Sequence, residues 1–190
     1  MKKYLLLLLL LIPINIYAID INIDDYNKKD LNEILVDVNV QTDLDTKEDM
    51  NSNTIYFLYG NDCNFSKEFM KFYVDNILPT YKNVHIVGFE TWNDPNNQSL
   101  FKSITKYKNS SFDGSPYIII GSRIFEGYTS SYNNQIISAI KNYDNKDIFE
   151  EMKNYEKNDF SNTVKLLIIL SLFILLFVVA LKFINKKNNY

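Results

Sequence analysis

Thr54-Ile-Tyr-Phe-Leu-Tyr-Gly60-Asn-Asp-Cys63-Asn-Phe-Ser66 joins two kinds of pattern within thirteen residues. Its first half is a β-branched and aromatic run closed by Gly60, which predicts a buried strand. Beyond it, Phe65, Phe69, Phe72, Tyr73 and Ile77 recur at three- and four-residue spacing and predict a helix ending at Pro79. The single cysteine, Cys63, therefore falls where a strand passes into a helix.

The same alternation continues outward. Val84-His-Ile-Val-Gly-Phe-Glu90 predicts a second strand, with His85 packed within it or at an edge. Asp94-Pro95 supplies a cap and a first-turn proline for a second helix, whose apolar face is Leu100, Phe101, Ile104 and Tyr107. Pro116–Ile120 and Arg123–Glu126 flank Gly121-Ser122 as a hairpin. After Gly127 a last helix is expected from Ser130 or Ser131 to Asn142, with Tyr132, Ile136 and Ile140 on one face. The order β-α-β-α-β-β-α over 54–142 is α/β, and its first β-α-β is expected to be a right-handed parallel crossover around a mixed central sheet.

The two ends are different material. Met1-Lys2-Lys3 followed by a leucine run and Ile16-Tyr17-Ala18 predicts a signal peptide over 1–18, either cleaved after Ala18 or kept as an anchor. Residues 19–53 form an acidic amino-terminal segment, read as loop apart from Ile34–Val40, which has the alternation of an edge strand. A hydrated polar stalk is expected over 143–163, a transmembrane helix over 164–184 and a short tail over 185–190. Lys182, Lys186 and Lys187 at the end of that span place the tail in the cytoplasm and the domain outside it. The membrane is then a bacterial or archaeal cell membrane or, with the domain in the lumen, that of the endoplasmic reticulum.

Charge and composition exclude several functions. The chain has 190 residues, and 14 of its 20 basic residues but all 23 acidic ones lie in 19–163, which leaves that stretch nine charges negative. With Arg123 its only arginine, it lacks the basic face that nucleic acid requires. One cysteine and one histidine exclude an internal disulfide and a Cys/His zinc or iron–sulfur site made by this chain alone, so neither a metal nor a cofactor is expected. Asn64, Asn97 and Asn109 each begin a glycosylation sequon, and a glycan on Asn64 would obstruct Cys63.

Cys63 and Ser66 in a Cys-x-x-Ser arrangement, Gly114-Ser115-Pro116 opening the third strand, and Gly127 after the hairpin together resemble the thioredoxin-like superfamily. The resemblance covers roughly 53–142. It implies a three-layer thioredoxin-like fold, a cis bond before Pro116, and Ser115 and Pro116 beside the cysteine as the client-binding element. Cys63 and Ser66 then stand at the catalytic positions. Helix-start amides favour a thiolate at Cys63, the Ser66 hydroxyl is placed to donate to it, Lys67 adds favourable charge and Asp62 opposes both.

Departures from the family pattern point the other way. Ser66 replaces the resolving cysteine, Asp62 stands where an aromatic residue usually precedes the nucleophile, and Phe57 occupies the strand position of a buried acid. Two functions follow. In one, a membrane-tethered monothiol protein captures the thiols of exported client proteins or isomerises their disulfides. In the other, a redox-inactive binding module, or a subunit of a membrane complex with partner membrane subunits, keeps the fold while Cys63 is incidental. Under that second reading Cys63 is a small buried apolar residue, Pro116 a strand-opening proline, Ser66 an ordinary first-turn hydroxyl, and Trp92 core or rim.

Overall fold

The computed structural model describes residues 21–43 and 53–187, the side chains of 156–161, 175 and 178–187 excepted. The expected signal peptide at 1–18 lies outside the described residues. Two compact units divide the chain, one of them Ile21–Met152 and the other holding the carboxyl-terminal part from Lys153.

In the first unit the elements run α1 (Leu31–Asp37), β1 (Asn53–Tyr59), α2 (Asn64–Phe72), β2 (Val84–Glu90), α3 (Pro95–Tyr107), β3 (Tyr117–Ile120), β4 (Arg123–Glu126) and α4 (Asn133–Lys141); α5 (Ile148–Lys187) begins there. The sheet is mixed, in the order β2-β1-β3-β4. β1 is central, parallel to β2 with Phe57 opposite Gly88, and antiparallel to β3 with Phe57 opposite Ile118. β3 and β4 form the expected hairpin, and Gly121 in its turn has φ of 58°, the left-handed backbone that glycine adopts without strain.

A strand buried on both faces needs a helix layer on each side. Ile55, Phe57 and Tyr59 of β1 point into one core with α1, α2 and α4, where Ile34, Phe69, Met70 and Ile136 meet them. Tyr56 and Leu58 point into the other, with Leu100 and Ile104 of α3 and Ile148, Phe149 and Met152 of α5. At about 1.5–3 kcal/mol for each fully buried large side chain, these two layers account for the hydrophobic stabilisation of the sheet.

Three expectations change. Ile34–Val40 is not an edge strand: residues 31–37 are helical, and Leu31, Ile34, Leu35 and Val38 bury their helical stripe while Val36 stays 79% exposed. A capping box fixes the start, since Asp30 accepts the Glu33 amide at 3.0 Å and Glu33 accepts the Asp30 amide at 3.0 Å. The outer edge of β2 is instead met by Lys29, which exchanges two 2.9 Å backbone bonds with Gly88. The second change is at 143–163, where the expected stalk contains the start of α5 and three core residues. Asp147 caps that start by accepting the Phe149 amide at 2.8 Å, and it takes the Tyr56 hydroxyl as well. The third is Phe65, expected on the buried face of α2 but 54% exposed.

Among the described residues, no helix is long and apolar enough to cross a membrane. The backbone of α5 runs through the expected transmembrane span at 164–184, and apolar side chains described there, Leu166, Phe173, Leu176 and Phe177 among them, are exposed. The side chains that complete that span lie outside the described ones.

Candidate functional site

The turn from β1 into α2 presents Cys63. Gly60 ends the strand, and Asp62 takes φ of 57°, a conformation that Asp tolerates better than most residues. The Cys63 amide donates back to the Gly60 carbonyl at 3.2 Å, and its own carbonyl accepts the Lys67 amide at 2.9 Å as the first bond of the helix. Cys63 is thus the N-cap residue, but its side chain makes no capping bond. The thiol turns across to the third-strand loop and donates to the Ser115 carbonyl at 3.6 Å.

Ser115 is the hub of the site. Its hydroxyl accepts the Gly60 amide at 2.6 Å and meets the Ser66 hydroxyl at 3.2 Å. The bond from Ser115 to Pro116 is cis. Cys63, Ser66, Ser115 and Pro116, separated by up to 53 positions in sequence, are all buried within this one cluster. The Ser66 hydroxyl, expected to donate to the sulfur, pairs with Ser115. Cys63 itself is 6% exposed, so a reaction partner must approach through the rim.

That rim holds Trp92, expected as core or rim, and beneath it Glu90, a buried acid that the sequence pattern did not single out. Trp92, 56% exposed, lies over Gly60, where an added Cβ would come within 2.2 Å of the indole. Its loop is organised by the buried carboxylate of Glu90. One oxygen accepts the Trp92 amide at 2.9 Å and the Asn61 amide at 3.2 Å; the other accepts the Asn93 amide at 2.8 Å and the Asp94 amide at 3.2 Å. Such charge-assisted bonds are among the stronger ones available to a carboxylate, and here they tie the loop after β2 to the cysteine loop. No protein-family model, curated protein or solved structure matches this chain.

On the inner side, Asp37 at the end of α1 accepts the Tyr59 hydroxyl at 2.5 Å and the Lys29 ammonium at 2.5 Å, while its carbonyl accepts the Asp62 amide at 3.3 Å. Burial, with the Asp37 carboxylate alongside, pushes the Tyr59 phenol far above its ordinary range. Phe57 is fully buried, stacked on Tyr59 with ring centroids 5.1 Å apart. Asp37 thus ties the end of α1 to β1 and to the cysteine loop.

Of the other residues singled out, His85 is buried in β2 with Nε2 3.3 Å from the Thr54 hydroxyl. Asn97 is buried, and its amide exchanges bonds with the Asn27 backbone at 3.2 and 3.0 Å, which closes that sequon to modification; Asn64 and Asn109 are exposed. Among the described residues, no group of three or more His, Cys, Asp or Glu side chains is placed to hold a metal ion.

Proposed function

We propose that this chain is a membrane-tethered, extracytoplasmic thioredoxin-like protein that handles the cysteines of exported client proteins through Cys63. One observation carries the reading: the thiol of a helix-capping cysteine meets, at 3.6 Å, the carbonyl of the residue before a cis proline. The central parallel pair β1–β2 beside an antiparallel hairpin supports a thioredoxin-like arrangement. The leucine-rich start, the apolar run 164–184 and the lysines after it support the tether and its orientation.

The chemistry is exchange at a monothiol. The Cys63 thiolate attacks one sulfur of a client disulfide; a Cys63–client bond forms as the client bond breaks, and the other client sulfur leaves as thiolate. Ser66 has no sulfur to release the adduct. A second client thiolate must attack the client sulfur, which re-pairs the client and returns Cys63 unchanged, with no net oxidation or reduction. Without that second thiolate the client stays captured.

Acid trapping from the native membrane, followed by non-reducing gels, tests this. Adducts should appear with the wild-type chain and vanish in Cys63→Ser; their absence from the wild type overturns the redox reading. Ser66→Cys puts a resolving sulfur one helical turn from Cys63, and the adducts should then become short-lived while reductase activity on a disulfide substrate such as insulin appears. The second reading, a redox-inactive binding module or subunit of a membrane complex, is favoured by the burial of Cys63, and unchanged adduct patterns in both variants would select it.

A further inference from the structure

β4 is the last described strand of the sheet on its side, and its hydrogen-bond parity is legible. The Gly127 amide donates to the Pro116 carbonyl at 2.8 Å, so 127 and 116 are a bonded pair. Phe125 opposite Ile118 and Arg123 opposite Ile120 repeat that parity at two-residue intervals. The intervening residues, Ile124 and Glu126, therefore turn their N–H and C=O groups away from β3, toward the open edge.

A groove of about 320 Å³ straddles this edge, lined by Ile124, Phe125, Glu126 and Tyr132, with Tyr117 on its inner wall. Tyr117 is fully buried, with its hydroxyl directed at the Ser110 side chain. Ser110, nearby, gives its own proton to Glu126 at 2.5 Å. Arg123, the chain's only arginine, is exposed on this strand and makes no ion pair among the described residues, in a stretch that is otherwise strongly acidic. Guanidinium favours planar, bidentate carboxylate partners, which makes an isolated arginine on a strand edge a selector for acidic segments.

We infer that β4 receives an extended, acidic peptide segment of a partner protein by strand addition. The partner backbone would bond the outward groups of Ile124 and Glu126, and a carboxylate would meet Arg123. Four residues with charged ends form too short an edge for indiscriminate pairing, so recognition rests on the carboxylate contact at Arg123. The lining of the groove includes none of Cys63, Ser66, Ser115 and Pro116, and the surface extends the function proposed above.

The test uses the full-length chain in detergent and fluorescein-labelled hexapeptides that alternate Thr or Val with Asp, against matched peptides with Lys in place of Asp. Anisotropy should show saturable binding of the Asp series within about 1 mM, and at least about tenfold weaker binding of the Lys series. Ile124→Pro removes an outward N–H without touching a β3 bond, so it should abolish binding, with a modest loss in thermal unfolding because the Ile124 side chain also packs against the second core. Arg123→Ala, an exposed change that leaves the fold alone, should weaken binding about tenfold, and Cys63→Ser should not alter it. Absence of binding by either series, or binding indifferent to Arg123→Ala and to the Asp–Lys exchange, overturns the proposal. If Ile124→Pro unfolds the chain, the Arg123→Ala result decides alone.

Discussion

Ser115 carries more of the site than the cysteine it faces. A buried amide without an acceptor keeps its full desolvation cost, and Ser115→Ala would leave the Gly60 N–H in that state while removing the partner of Ser66. The expected loss is about 1–3 kcal/mol in urea unfolding followed through Trp92 fluorescence. Ser115→Thr keeps the hydroxyl and should recover most of it; equal losses for both variants would mean that packing, not the bond to Gly60, is at stake. The four site residues were legible because each has a chemical signature at an element boundary: a lone cysteine, a serine three residues on, and Ser-Pro before a strand. Glu90 has no such signature. An acid that ends a buried strand shortly before Trp92-Asn93-Asp94 was the available sign, since a buried carboxylate must find donors and those three consecutive loop amides, with that of Asn61, supply them.

At the scale of elements, the strand–helix order from β1 to α4 follows directly from periodicity, and the misread segment shows what periodicity omits. Val36, Val38 and Val40 alternate with Asp37 and Asn39 as in a strand, whereas Leu31, Ile34, Leu35 and Val38 fit a helix equally well. The tie is broken outside the apolar run, by the Asp30–Glu33 capping box. Asp30→Ala should therefore cost about 1 kcal/mol and loosen α1, seen as faster amide exchange at Ile34 and Leu35; unchanged exchange there would show that packing alone holds the helix. The start of α5 was missed for a different reason. Ile148, Phe149 and Met152 are three apolar residues in a charged stretch, too few to raise local hydrophobicity, yet they close the second core against Tyr56 and Phe89. Phe149→Ala opens a cavity there and should cost about 3–5 kcal/mol in the same unfolding assay, whereas a hydrated stalk would tolerate it with no measurable change.

Across the whole molecule, tyrosines supply an unusual share of the interior, and they set how its stability responds to alkali. Burial holds Tyr117 and Tyr128 up at about 12, against an ordinary value near 10. Tyr56 and Tyr59 are driven higher, by burial first and then by the Asp147 and Asp37 carboxylates they bond; Tyr143 moves the same way, again chiefly through burial. A phenol whose folded-state value is raised stays protonated in the fold after the unfolded chain has begun to release its proton. The unfolded state then binds fewer protons, so the linkage slope is negative: the contribution is intact below about pH 10 and drains away as pH rises through 12. Five such groups acting together should make unfolding cooperative in that window. Phenolate absorbance from the interior tyrosines should rise only as the sheet melts, together with the loss of circular dichroism. Full phenolate absorbance with native dichroism would show instead that these hydroxyls ionise within the fold and that neither core is as dry as its packing implies. Tyr128→Phe removes one of the five and should make stability fall less steeply between pH 10 and 12, because the proton difference between folded and unfolded chains shrinks by one.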